Sequence, residues 1–284
     1  MNFTRRIMPS VDRSLWIGIV LLALVIFATL LAPLLTAWDP YEQHLDRLLE
    51  SPSREHLLGT DQFGRDVWSR LLFGARTSLQ IALYATAIAT LIGCLVGTVA
   101  GLAGGMVDRI LMRIVDMLLG FPKLFILLLA IGFGYPSIWR IVIVLGLLSW
   151  MDMARVLRGE LQVLRELLFV KAARAQGLGM FRIIRRHILP NVVGVILVSA
   201  ALLIAALLLV EASLSFLGVG VQPPTPSWGT LLNQGRQYPV IAWWLSVFSG
   251  LSVVVTVIGF HLLGDGLRNR LDVHLEENEC KVQR

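Results

Sequence analysis

Residues 170–191 read VKAARAQGLGMFRIIRRHILPN, a strongly basic stretch set between two long apolar runs. From Leu161 to Ala175 the composition is helix-forming, with apolar positions interrupted by Arg and Glu. Gly177 and Gly179 break that helix, because glycine takes the backbone angles of a sharp turn. A second short helix, Met180 to His187, is expected to stop before Pro190, which suits the first turn of the next helix. The stretch therefore predicts a helix–turn–helix elbow, spanning 161–191, carried between apolar spans.

The rest of the chain places that elbow in a membrane protein. Of its 284 residues 56% are hydrophobic and only 15% charged, with a mean hydropathy of +0.74. That excess of apolar surface excludes an ordinary soluble domain. Cys94 lies in an apolar run and Cys280 in a polar tail, so a disulfide between them is not expected, and no metal-ligand spacing occurs. The net charge of +6 does not indicate nucleic acid, since the basic residues fall between apolar runs, as membrane topology requires.

Taken in order, 1–14 is a basic N-terminus and 15–35 an apolar run about long enough to cross a bilayer. The run is too long for a signal peptide core and lacks a small-residue cleavage site, so it reads as an uncleaved anchor. Residues 36–78 are a polar outer loop. Further spans are expected at 79–102, 110–133, 137–153, 192–212 and 243–263, with an outer loop at 213–242 and a tail at 265–284. The fold class is thus all-α, with six transmembrane helices, the last five forming a core over 79–264. Seventeen of the 25 Lys and Arg then lie on the side of the N-terminus, the elbow and the tail, which puts both termini and the elbow in the cytoplasm. In the second span Gly93, Gly97, Gly101 and Gly105 make overlapping GxxxG patterns. They form a flat face for close helix approach, either within the chain or at a dimer interface.

Chemistry-bearing motifs are sparse. There is no P-loop, GxSxG, HExxH or CxxC pattern, so no catalytic residues are assigned and any ATP-binding site must sit on another chain. The outer stretch 56–70 is dense in polar side chains, but His56, Asp61 and Asp66 match no familiar cation loop. Pairing of the carboxylates with Arg65, Arg70 or Arg76 fits better, and no metal site is assigned. Ionisable groups inside spans are site candidates. Lys123, just after Phe121-Pro122, either faces a translocation route or pairs with Asp116 or Glu211. Glu211 is placed to meet Arg140, and Asp152 to pair with Arg155 and Arg158. After Glu211 the chain leaves the membrane through a Pro/Gly-punctuated loop containing Gln222, Pro223, Pro224 and the aromatic belt residue Trp228.

These motifs resemble those of the inner-membrane permease subunits of ABC importers, in the C-type branch of the oligopeptide/dipeptide/nickel permease family. The family mark is Glu-Ala-Ala, three residues, Gly, nine residues, Ile, one residue, Leu-Pro. Here Lys171-Ala172-Ala173, Gly177 and Leu189-Pro190 occupy it, with Lys171 in place of Glu and His187 in place of Ile. The ending His187 to Asn191, the stretches Leu58 to Asp61, Gly64 to Asp66 and Ser69-Arg70, the segment Glu211 to Gly229, and Gly264-Asp265, Arg268 and Leu271-Asp272 extend the likeness over most of the chain.

The resemblance implies that the elbow is a coupling helix seated in a cleft of an ATPase. Its contact residues would be Lys171, Ala172, Ala173, Gly177, Leu178, Gly179, Arg182, Arg185, His187 and Pro190. It implies a second homologous permease subunit, two ATP-binding subunits that hold the ATP and Mg, and an extracytoplasmic binding protein facing Gln222, Pro223, Pro224 and Trp228. The setting would be the bacterial inner membrane, and this chain would carry no cofactor of its own. The implied cargo is peptide, with nickel, metal chelates or glutathione-like compounds as alternatives. A secondary transporter needs inverted repeats and intramembrane acids that the sequence does not display. A non-transporting scaffold leaves the elbow unexplained, and headgroup binding by the basic elbow is its bland alternative.

Overall fold

Eleven α-helices carry nearly all of the structure, a computed structural model that describes residues 8–132 and 137–282. Side chains are described over 13–270, apart from Leu168, Phe169, Arg174, Met180, Phe181, Arg185 and His187. The helices are α1 (Met8–Leu30), α2 (Ala32–Leu35), α3 (Val67–Ala103), α4 (Gly105–Leu119), α5 (Lys123–Gly132) and α6 (Ile138–Glu166). They continue as α7 (Leu168–Ala175), α8 (Met180–Ile183), α9 (Leu189–Phe216), α10 (Trp228–Gln237) and α11 (Trp243–Val282). One isolated bridge, Thr60 to Asp66, is the sole β pairing among the described residues.

Four described helices, α1, α3, α9 and α11, are long and apolar enough to cross a membrane, and the bent pair α4 and α5 makes a fifth if taken as one span. The difference from the expected six is α6. It has the length, 29 residues, but Arg140, Asp152, Arg155 and Arg158 interrupt its apolar character.

Several expected boundaries move for local reasons. The helix that carries the second span begins before 79: α3 starts at Val67, where the Asp66 carboxylate accepts the Ser69 backbone N–H as an N-cap. Its first three turns belong to the stretch expected as loop. The span at 110–133 is two helices bent by 75°. Gly120 ends α4, and Pro122, which lacks an N–H and disfavours helical geometry at Phe121, prevents continuation. α6, which covers 138–153, runs on as a helix to Glu166, and α9 reaches beyond 192–212 at both ends. A helix, α10, lies within the outer loop 213–242, and α11 continues through 265–282, where a separate tail was expected.

α3 and α6 form the most extensive helix pair, and the glycine stripe explains why. A Cβ at Gly93 would fall 2.8 Å from the Trp150 carbonyl, one at Gly97 2.7 Å from the Ala154 carbonyl, and one at Gly101 2.8 Å from the Leu161 Cβ. The stripe therefore packs inside the subunit. Gly105 takes no part, since a Cβ built there meets nothing within 4 Å. The main core gathers Ile81 and Ala85 of α3, Ile141 and Leu145 of α6, Leu208 of α9, Leu231 of α10 and Leu245 of α11, all fully buried. α1 lies against α11, with Gly18 close to the Gly259 carbonyl.

Gly97→Leu is expected to wedge α3 from α6 and lower stability by about 1–3 kcal/mol, the usual cost of overpacking. Gly159→Leu, where nothing lies within 4 Å, should leave the thermal unfolding midpoint in detergent unchanged.

Candidate functional site

The elbow is more finely divided than its composition predicts. The helix expected over 161–175 breaks at Leu167, whose backbone is extended, so that α7 is set off from α6 as a separate crank. α7 ends in a tight turn. Gly177 lies at φ 77°, in the left-handed region, and the Leu178 N–H donates to the Ala173 carbonyl at 3.2 Å. This is the Schellman arrangement that glycine permits. α8 follows, with Arg182 and Ile183 N–H groups both donating to the Gly179 carbonyl.

The second helix does not stop before Pro190. Residues 184–188 widen into a π-helical turn that passes straight into α9. Pro190 brings no N–H and crowds the carbonyl four residues back, and the wider turn absorbs that conflict.

One face of the elbow is anchored. Val170 and Ala173 of α7 pack with Ile183, Ile188 and Val192, and with Leu157 and Leu161 of α6. Leu178 joins this cluster from the turn. The opposite face is open: Lys171, Ala172, Gln176, Gly177, Gly179, Arg182 and Pro190 are exposed. The Arg185 and His187 side chains lie outside the described residues. Lys171 Nζ pairs with Glu166 Oε2 at 3.1 Å, and its ammonium, by hydrogen bond and charge, holds the Glu166 carboxyl below the usual carboxylate range. Glu166 was not singled out from sequence. Its position five residues before Lys171, across a helix break, conceals the pairing.

The ionisable groups expected in or beside the spans pair differently from expectation. Lys123 meets neither Asp116 nor Glu211; its Nζ bonds Asp152 Oδ2 at 2.5 Å. Asp116 takes Arg155 instead, at 2.5 Å, and Arg158 forms a two-pronged pair with Asp108, to which Gln162 also donates. These pairs form three rungs between α4–α5 and α6. The signal that could have found them is the short connection 133–137, which makes α5 and α6 antiparallel neighbours. Glu211 is fully buried and does not pair with Arg140. One carboxylate oxygen accepts the Ser215 hydroxyl at 2.8 Å.

Beyond α9, α10 begins with a capping box between Ser227 and Thr230. Trp228 is not a belt residue. It is buried, and its indole N–H donates to the Leu71 carbonyl at 3.1 Å, pinning α10 to α3. Of the other loop candidates Pro223 and Pro224 are exposed and Gln222 half-buried, its amide tied to the Gly218 and Gly220 carbonyls.

The stretch 56–66 is a buried polar knot. Asp61 accepts the Phe63 and Arg65 backbone N–H groups and the Arg65 Nε–H, and Arg70 approaches it at 3.4 Å. Asp66 caps α3 with one oxygen and bonds His56 Nδ1 at 2.9 Å with the other. The carboxylates thus fix the start of α3, through Arg65 and Arg70; Arg76 reaches instead towards the Thr29 carbonyl.

The described residues thus form an all-helical chain with four or five apolar helices of membrane-crossing length, one of them bent, a ladder of ion pairs and a cranked linker exposing a basic face. Residues 93–276 match the family described as Binding-protein-dependent transport system inner membrane component, and the chain belongs to that family. It is 41% identical over 275 residues to a protein of Brucella suis biovar 1 named for a peptide transport system permease, covering 96% of this chain and 91% of that one. It is 40% identical over 263 residues to the oligopeptide transport system permease protein OppC of Escherichia coli (strain K12), covering 92% and 87%. Its fold is similar to a chain of the MetNI methionine ABC transporter in an inward-facing conformation, with a TM-score of 0.58, 19% identity, and 72% and 97% of the two chains covered.

Asp61→Ala would leave the buried Arg65 and Arg70 without their carboxylate. The expected loss is about 3–5 kcal/mol, as for other broken buried pairs. It is read as a lower thermal midpoint and as faster proteolysis within 36–66.

Proposed function

We propose that this chain is the permease subunit of an ATP-driven importer and forms half of its translocation pathway for small peptides. Taking α6 and the bent α4–α5 pair as spans gives six crossings, with both termini and the elbow in the cytoplasm. A second homologous permease chain completes the pathway, two ATPase subunits holding ATP and Mg dock beneath, and an extracytoplasmic binding protein delivers cargo to the outer loop at Pro223 and Pro224. The peptide assignment rests on the relatives' names.

The observation that carries the coupling role is the two-faced elbow. α7 packs through Val170 and Ala173 into a small apolar cluster shared with α6 and α9, while Lys171, Ala172 and Arg182 stay exposed. A partner pressing on that face moves α6 and α9 together, because both contribute to the same small core. Pro190 and the π turn pass the push into α9 without a flexible joint. Lys171 stands beside Glu166, so the docking face keeps an acid next to the basic residue that replaces the usual Glu. Alternating access follows when ATPase closure shifts this unit and reopens the pathway to the outside. Glu211, bonded to Ser215 within α9, and Lys123 are the pathway candidates on the outer and central sections.

Gly177→Leu tests the coupling. A branched residue at a left-handed position costs about 1–2 kcal/mol and re-aims α8, while a Cβ at Gly177 meets nothing within 4 Å. Reconstituted with its partners, the variant should insert and retain its ATPases. Hydrolysis should continue without peptide uptake. Normal uptake would count against the coupling role.

A further inference from the structure

The ladder between α4–α5 and α6 has an unexpected exposure. The Asp108 rung is sheltered, but the other two are open: Lys123 and Asp152 are 37% and 58% exposed, Arg155 and Asp116 48% and 56%. Asp152 lies 14 residues into a 29-residue helix, far from either end. Where α6 and the α4–α5 pair are taken as spans, as in the importer reading, charged groups on them are costly against lipid chains and face water or protein. This face therefore borders an aqueous cavity or another chain.

The order of charges gives the face a pattern. α6 presents Asp152 and then Arg155, while the α4–α5 side presents Lys123 opposite the first and Asp116 opposite the second. The two rungs have opposite polarity. Residues three apart on a helix are neighbours, with Cβ atoms about 5–6 Å apart. Two extended residues of peptide span at most ~7 Å, so an ammonium at Asp152 and a carboxylate at Arg155 match the reach of one dipeptide. Met117, Phe121 and Phe125, all exposed, lie on the same α4–α5 segments and supply apolar surface for side chains.

We propose that these two rungs form a way station for zwitterionic peptides, in which the free termini of the cargo exchange with the internal ion partners. When empty, the rungs satisfy one another, so no bare charge is left in the pathway. When occupied, the cargo carboxylate takes Arg155 or Lys123 and its ammonium takes Asp152 or Asp116. This deepens the importer reading and rests on it.

The test uses the assembled complex of this chain with its permease and ATPase partners in nanodiscs, without binding protein, so that selection by that protein does not enter. Saturation-transfer NMR with alanyl-alanine is compared with N-acetyl-alanyl-alanine amide. The free dipeptide should receive saturation and the blocked one should not. Lys123→Gln and Arg155→Gln should each weaken dipeptide binding about tenfold, as loss of one charge-assisted contact implies. The exchange Lys123→Asp with Asp152→Lys restores the rung but reverses its polarity, so a binding site stays impaired while a purely structural rung recovers. Asp152→Cys, in a Cys94→Ser and Cys280→Ser background, should react with a water-soluble thiol reagent.

Equal binding of the blocked peptide, unaffected binding in both single variants, full recovery in the exchange, or protection of position 152 by the second permease chain would each overturn the way station. Peptide uptake by the native complex with its binding protein is measured in the same preparation. Uptake that persists alongside any of those results leaves the importer reading standing and removes only this inference. Loss of uptake with no ATPase bound would remove the importer reading itself.

Discussion

Backbone contact between α3 and α6 is the constraint on which the other features depend. Gly93, Gly97 and Gly101 let the two helices approach until carbonyls and Cβ atoms of α6 occupy the space of the missing side chains. In lipid, where apolar burial supplies little drive between helices, such close dispersion contact is a main source of association. Held this way, α6 becomes a fixed spar. Its outer part joins the main core through Ile141 and Leu145, its middle carries one side of the ion-pair ladder, and its end anchors the elbow through Leu157 and Leu161. A shift of α6 is therefore felt at the elbow and the ladder alike.

The ladder and the bend between α4 and α5 are complementary. Pro122 and Gly120 interrupt the helix, and an interrupted helix leaves backbone groups that need protection within a membrane. The rungs on either side of the break, Asp116–Arg155 and Lys123–Asp152, tie both short helices to the unbroken α6. Each half keeps its position although the 75° turn removes continuity.

Much of this was legible in the chain, and the exceptions have physical causes. Gly177, Gly179 and Pro190 announced the elbow because their backbone preferences are local. The break at Leu167 was not announced, since leucine is a good helix former and tertiary packing of Val170 decides it. α3 begins early because Asp66 caps it, yet its first turns carry Arg70, Ser69 and other polar groups that satisfy the buried knot, and polarity was read as loop. Trp228 looked like a belt residue because an indole at a span exit commonly is one; only the Leu71 carbonyl, far away in sequence, reveals its burial. The ion partners of Lys123, Asp116 and Asp152 depended on which helices are neighbours, which residue spacing within one helix does not encode.

The polar knot also ties together parts of the chain that are far apart in sequence. Its carbonyl at Thr60 accepts the indole N–H of Trp244 at 3.2 Å, 184 residues further along the chain, and Trp244 lies in the first turn of α11. During synthesis residues 36–66 therefore lack this contact until α11 has followed them and come to rest beside them. The knot is thus a seam, and its closing marks the arrival of α11.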